Sequence, residues 1–400
     1  MVNVIVEKIT DEIHLLRVDD DQVKHFEALW SIPEGITYNA YLMKVGNTTV
    51  LFDGWKKDYQ DEFVEALSEL VDPRDIDYIV VHHMEPDHSG TLRKILEENG
   101  YRATVLGHRL VGKLIKSFYG LDEAKFRAVE DGEEMEIDGK KLKFVHAPWL
   151  HWPETIFSYL DGVLLTCDAF GGYSIPQTIF DESEEIVSGY LPFVRKYIVN
   201  IVGYYKKYIV EDIQKVVNLG ITPKIILPSH GLLWKNPQKI INYYLDVANG
   251  VPVKGKILVV YSSMYGFVER AANTAIKELE NLGYKPKVLK FTDTARDNVS
   301  DVLSEAADSE GIIIGTATYE RSIFPLMRYI VELLTEKANY DKPVLILSSY
   351  GWGGTVAKNL GEMLSGTKLR IVDAIEFRGE SGEEEKIEEG VKNLLNARSS

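Results

Sequence analysis

From residue 256 onward, short apolar runs alternate with helical stretches, and few folds accept that pattern. Strands are predicted at 256–261 (KILVVY), 286–290, 311–315 (GIIIG), 343–348 (PVLILS) and 370–376. Between and after them lie helical stretches at 268–282, 298–307, 325–336, 355–364 and 383–397. Near-continuous apolar strands such as KILVVY, GIIIG and PVLILS are covered on both faces, so their alternation with helices predicts a doubly wound parallel α/β sheet. Gly250-Val-Pro-Val-Lys-Gly255 breaks the periodicity just upstream. That break sets the expected domains at 1–250 and 251–400.

The first part reads differently. Residues 37–45 and 48–52 form a hairpin pattern across Gly46-Asn47, and 59–71 place Phe63, Leu67 and Leu70 at helical spacing. A short buried strand follows at 78–81, with hairpins suggested over 133–146 and 155–166. Helices are expected near 184–208 and 209–219, a strand at 224–228, and a helix at 236–249 that stops at Gly250. At 400 residues the chain is too long for one ordinary domain. A net charge of −16 disfavours nucleic acid and anionic membrane as partners. No window reaches the roughly 18 uncharged apolar residues of a bilayer span. The N-terminus shows no basic region followed by an apolar core. Cys167, the single cysteine, excludes an intrachain disulfide or a four-cysteine metal site. A reducing cytoplasm is the expected location.

Residues 81–91 (VHHMEPDHSGT) are the most chemically loaded stretch. His82, His83, Glu85, Asp87 and His88 crowd into a loop leaving the strand 78–81. Crowded imidazoles and carboxylates lose solvation, and the carboxylates repel, unless a cation compensates. The alternative is a solvated polar loop. Three further candidates stand at strand or turn positions: His151 in HAPWLHWPET, Asp168 in LLTCDAFGG and His230 in ILPSHG.

That spacing resembles the metallo-β-lactamase superfamily, whose αββα sandwich holds two metals on loops at one edge. Its HxHxDH motif here reads His83-x-Glu85-x-Asp87-His88, and the exchange to Glu85 resembles the flavodiiron protein branch. LHWPET at 150–155, CDAFGG at 167–172 and PSHG at 228–231 are similar to that family too. The interval from His151 to Asp168 is slightly short, and a tight hairpin at Asp161-Gly162 absorbs the difference. The resemblance implies one iron on His83, Glu85 and His151, and a second on Asp87, His230 and the additional candidate His88. Asp168 would bridge them. Mixed oxygen and nitrogen ligands without thiolate suit redox-active iron, whereas zinc prefers tetrahedral sets richer in histidine. His146 reads as structural or as support for a ligand, and His82, on the opposite strand face, as a core residue. Asp53 is expected to support a histidine ligand, and His25 and Glu27 are candidates to line the pocket. Tyr197, Trp149 and Trp152 either shield the site or belong to the core. His14 and His108 carry no signal.

The second domain carries its own ligand pattern. YSSMYGFVERAA at 261–272 joins the first strand to a helix, where main-chain N–H groups bind phosphate. It resembles the flavodoxin phosphate loop: Ser262, Ser263, Met264, Tyr265 and Gly266 fit. Phe267 and Val268 replace the usual hydroxyl pair and so remove two side-chain donors. Thr316, Ala317, Thr318 and Tyr319 border a second loop. Ser349, Tyr350, Gly351, Trp352, Gly353 and Gly354 form a third, with Trp352 placed to flank an isoalloxazine ring. Three loops at the carboxyl ends of parallel strands predict FMN at the topological switch point. No GxGxxG follows the first strand, which disfavours NAD.

Together the resemblance implies a flavodiiron oxidoreductase with FMN and two iron ions. It would reduce dioxygen to water, nitric oxide to nitrous oxide, or both. It also implies a head-to-tail homodimer or dimer of dimers. The chain ends at Ser400 without a CxxC segment, so a separate donor such as rubredoxin is expected. The chief rival is a metal-dependent hydrolase of the lactamase superfamily with a flavodoxin-like appendage. A third reading is an electron carrier with a vestigial first domain.

Overall fold

The structure, a computed structural model, describes residues 2–380 and 383–397. It divides into two compact units, Met1–Tyr197 with Tyr205–Leu245, and Ile198–Tyr204 with Asp246–Ser400.

The first unit is built on two sheets. Strands Asn3–Lys8, Ile13–Asp20, Ile36–Val45, Thr48–Phe52, Tyr78–Val81, Thr104–Gly107 and Lys125–Ala128 lie side by side in chain order as a seven-stranded sheet. Glu134–Ile137, Lys140–His146, Ile156–Leu160, Val163–Cys167 and Ile225–Pro228 form a five-stranded one. One apolar core joins their facing sides. Leu15, Tyr41, Met43, Phe52 and Val80 of the first sheet pack with Leu142, Phe144, Ile156, Leu165 and Leu227 of the second. The expected hairpin across Gly46-Asn47 is present, with Gly46 at φ 56°. Asp138 secures it by accepting from the N–H groups of Asn47 and Thr48, at 2.7 and 3.0 Å.

Differences from the sequence reading cluster where the pattern is weak. Strands Asn3–Lys8, Ile13–Asp20, Thr104–Gly107 and Lys125–Ala128 and helices Leu92–Asn99 and Val111–Tyr119 were outside it. Helix Glu184–Tyr197 ends earlier than expected, and Ile198–Val202 widens into a π-turn before helix Lys206–Asn218.

The second unit holds strands Lys256–Ser263, Lys285–Thr292, Gly311–Tyr319, Lys342–Tyr350 and Leu369–Arg378, all parallel, in the spatial order 2-1-3-4-5. Helices Phe267–Asn281 and Glu384–Asn396 cover one face through Ala272, Ala275, Leu279, Val391 and Leu394. The order reverses beside the first strand, opening a crevice at its carboxyl end. Among the described residues no helix is long and apolar enough to cross a membrane.

Candidate metal centre and flavin loops

Four chain segments deliver the metal candidates, His151 coming from the connection between strands Lys140–His146 and Ile156–Leu160. The first leaves strand Tyr78–Val81, and its expected loop is partly helical: Pro86–Ser89 forms a short turn with proline at its start. The turn returns Asp87 and His88 to the site. Gly90 follows, where any Cβ would run into the Lys57 amide and the Pro86 carbonyl. Asp168 sits just beyond strand Val163–Cys167 in a tight turn closed by Gly171 N–H on the Asp168 carbonyl, 3.0 Å. His230 follows strand Ile225–Pro228. Its loop is clamped by the other sheet, with the Asn39 amide and Tyr41 hydroxyl donating to the Pro228 carbonyl at 3.1 and 2.6 Å.

The candidates converge into two neighbouring groups, His83, Glu85, His151 and Asp168 in one and Asp87, His88 and His230 in the other; Asp168 also lies close to His88 and Cys167. Glu85 Oε2 lies 3.2 Å from His83 Nε2 and 2.9 Å from His151 Nε2. Asp168 turns one oxygen to each group. Its Oδ2 is 3.5 Å from His83 Nε2 and 3.6 Å from His151 Nε2. Its Oδ1 is 2.9 Å from His88 Nε2 and 3.2 Å from His230 Nε2. A carboxylate so shared has the geometry of a bridge.

Supporting contacts aim the rings. Glu154 Oε1 holds His83 Nδ1 at 3.1 Å, and the Thr37 carbonyl accepts from His230 Nδ1 at 2.7 Å, so each Nε2 faces inward. His88 lacks such an anchor, since its Nδ1 is buried without a partner. The Tyr197 hydroxyl donates to Asp168 Oδ1 at 2.8 Å. Trp152 stands edge-on to His83 at 4.8 Å, and Phe26 edge-on to His230 at 6.0 Å.

The remaining candidates fall to other roles. Asp53 supports no residue of these groups: it grips His82, Oδ2 to Nδ1 at 2.7 Å, while His82 Nε2 meets Ser158 Oγ at 2.8 Å. Trp149 stacks on Tyr205 at 5.0 Å. His25 is exposed, and Glu27 accepts from Trp30 Nε1 at 3.0 Å. His146 faces the Val129 carbonyl at 3.0 Å. Glu154 and Thr37 escaped the sequence reading. Glu154 had a signal, its place in LHWPET, whereas a main-chain carbonyl has none.

The electrostatics ask for cations. Burial disfavours charge on His83, yet the carboxylates of Glu154, Glu85 and Asp168 outweigh it and hold its pKa well above the usual value. Burial likewise opposes His230, but Asp168 and Asp87 push it up to about 10. Burial alone would raise Asp168, and the surrounding imidazoles, His88 foremost, hold it well below the carboxylate range. Even so, both Asp87 oxygens, Asp168 Oδ2 and His230 Nε2 are buried without a hydrogen bond. Three carboxylates and four imidazoles with such orphaned atoms fit two divalent ions. Cys167 lies beside His88 and Asp168, but burial raises its thiol well above the usual range, so the set is oxygen and nitrogen without thiolate, which suits iron.

In the second unit the three predicted loops stand at adjacent strand ends. Gly266 adopts φ 82°, and helix Phe267–Asn281 starts behind it. Ser263 Oγ accepts from the N–H groups of Gly266 and Glu269 at 3.2 and 3.3 Å. Val268 is buried in the core, with Phe267 packed partly against it, so the turn offers main-chain donors rather than side chains. Met264 is half-buried and joins the same packing. Ser262 and Thr316 join the first two loops through their hydroxyls at 3.1 Å, and Thr318 Oγ1 accepts from Thr355 N–H at 3.3 Å to join the second to the third. The strands run further than expected: Thr316, Ala317, Thr318 and Tyr319 end one strand, and Ser349 and Tyr350 end another. Tyr265 and Trp352 stand free, 81% and 93% exposed, with Gly351, Gly353 and Gly354 around Trp352. Ser348 Oγ, Thr355 Oγ1 and Glu376 Oε1 are buried without partners beside this loop. Orphaned polar atoms and open aromatic rings at a phosphate-binding turn fit FMN.

A metallo-β-lactamase-like unit with a two-metal cage, followed by a flavodoxin-like unit, is the class these sites define. The family model described as ODP family beta lactamase matches residues 36–231, and the flavodoxin model residues 259–390. A nitric oxide reductase of Moorella thermoacetica is 30% identical, covering 91% of this chain and 90% of that protein. A rubredoxin-oxygen oxidoreductase of Megalodesulfovibrio gigas is 28% identical over 90% and 89%. A solved flavo di-iron protein from Thermotoga maritima is 46% identical over 99% of both chains, with a TM-score of 0.95. The chain belongs to the flavodiiron protein family.

Proposed function

We propose that the chain takes electrons from a protein donor through FMN to a non-haem diiron site that reduces dioxygen to water, nitric oxide to nitrous oxide, or both. The observation that carries this is Asp168, one carboxylate facing two ligand groups, in a chain that also builds three flavin loops. When bound, reduced FMN and a diferrous pair each supply two electrons, enough to take dioxygen to water without releasing peroxide.

The chain's own residues do the rest. His83, Glu85 and His151 would hold one iron, and Asp87, His88 and His230 the other. Glu154 and the Thr37 carbonyl fix ring orientation. Tyr197 keeps its proton under burial and the nearby Asp168 charge, so its hydroxyl stays a donor to the bridging carboxylate. Trp152 and Phe26 exclude water. A lactamase-type hydrolase is disfavoured by Glu85 in the ligand set.

The working unit we infer is a head-to-tail dimer in a reducing cytoplasm, served by a donor such as rubredoxin. The short Gly250–Gly255 segment supports it, because an isologous contact pairs each metal loop set with a partner's flavin at once. Mixing a metal-dead chain (Asp168→Ala) with a flavin-dead chain (Gly266 and Trp352 replaced) tests it. Half the exchanged dimers carry one intact pair, so activity returns to about a quarter of wild type by symmetry. Confirmed exchange without returning activity contradicts it.

A further inference from the structure

Behind the third flavin loop lies a carboxylate with one oxygen buried and without a hydrogen-bond partner. Glu376 stands near the end of strand Leu369–Arg378, directly opposite Ser348 of the neighbouring parallel strand. Its neighbours Ile375 and Phe377 enter the core under helices Phe267–Asn281 and Glu384–Asn396. Strand alternation therefore turns Glu376 to the other face. There its Oε1 is buried and unpaired, and a Cβ on Gly354 would come within 2.7 Å of it. Arg378, on the same face, spreads over the Tyr350 ring at 5.5 Å. Native proteins rarely leave a buried acceptor unpaired, and each exception calls for an explanation.

We propose that Glu376 is a positioning residue that sets the reduction potential of the flavin, its charge behind the loop 350–355 making reduced FMN bind more weakly than it otherwise would. The inference rests on reading these loops as the FMN site. Two-electron reduction of FMN with uptake of one proton leaves one added negative charge on the ring. A carboxylate behind the loop, half-buried and with one oxygen withdrawn from water, opposes that charge and leaves oxidised FMN almost untouched. The result is a lower potential and a stronger reductant for the irons. The close Gly354 fits this role, since any larger residue would push the loop off the carboxylate. A purely structural reading also exists, in which Glu376 favours the start of helix Val356–Leu364 through its dipole. The two differ in what they move.

The test measures the FMN midpoint potential of the flavin-loaded protein, the dissociation constant of oxidised FMN, and Tm, for wild type, Glu376→Gln and Glu376→Asp. In Glu376→Gln, reduced FMN should gain on oxidised FMN by about tenfold, equivalent to a rise of about 30 mV for a two-electron couple. Glu376→Asp keeps the charge and should stay close to wild type. A Glu376→Gln potential equal to wild type would overturn the proposal, whether or not Tm falls, and leave only the helix role. Wild-type protein that binds no FMN would instead break the reading of the loops, and the proposal with it.

Discussion

The two cofactor sites are built on opposite principles. At the metal cluster the side chains are withdrawn from water: His83 and His230 are 0% exposed and Asp168 1%. At the flavin loops the most prominent side chains stand in it, Tyr265 at 81% and Trp352 at 93%. Ion binding needs several charged groups held against their own repulsion, so each is tied from behind, as His83 is by Glu154. A flat aromatic cofactor needs main-chain donors for its phosphate and an open rim for its ring. Rigidity is spent where charge is concentrated.

If the sites are separable in this way, variants should injure one and spare the other. The largest effect is expected from Asp168→Ala, which leaves two cations facing each other unscreened. Iron content should fall by more than half and gas reduction by about a hundredfold, with FMN retained. His88→Ala should cost less, because His88 lacks an anchor and offers a single terminal nitrogen rather than a shared carboxylate. Equal, mild losses would remove Asp168 from the bridging position.

Next comes Glu154→Gln, which touches no metal but loosens His83. Iron affinity should drop about 10–100-fold, measured by competition with a chelator, while FMN binding stays unchanged. On the flavin side, Trp352→Ala should weaken FMN by about 0.5–1.5 kcal/mol, read by fluorescence titration, with iron and Tm unaltered. A fall in Tm would show that the exposed ring has a packing role.

An effect confined to one pH range asks whether burying a carboxylate is tolerated without a cation. Asp212 lies in the first unit outside both metal groups, and burial, only partly offset by Lys215, raises its pKa to about 7. Its folded pKa exceeds its unfolded one, so stability is full at low pH and is lost as pH rises between about 4 and 7. Asp212→Asn should therefore raise stability by about 1–2 kcal/mol at pH 8, after discounting for partial solvation, and change little near pH 4. Equal gains at both values would locate the effect in packing.

What the sequence disclosed follows the same division. Parallel strands such as GIIIG are apolar on both faces and declare themselves, whereas edge strands such as Lys125–Ala128, half-buried or exposed, carry no comparable pattern. The crowded imidazoles and carboxylates of residues 82–88 stood out because such a cluster is costly without a cation, whereas His151, Asp168 and His230, scattered along the chain, were legible only through the resemblance of their motifs. Their supports were less so. Asp53 sat at the expected strand end but serves His82, a choice made by how two strands meet in space. The Thr37 carbonyl and the π-turn at Ile198–Val202 belong to the main chain and leave no mark on residue type. Glu376 is visible only once the third loop has folded over it.

Flavin electrons passed to a diiron site should end on a gas. The most direct measurement is steady-state consumption of dioxygen and of nitric oxide by protein carrying about two irons and one FMN per chain, driven by a reduced rubredoxin. Turnover of at least one gas is expected, with no peroxide released from dioxygen and with nitrous oxide as the product from nitric oxide. A colourless, zinc-loaded protein that consumes neither gas and cleaves a lactamase-type substrate would contradict it.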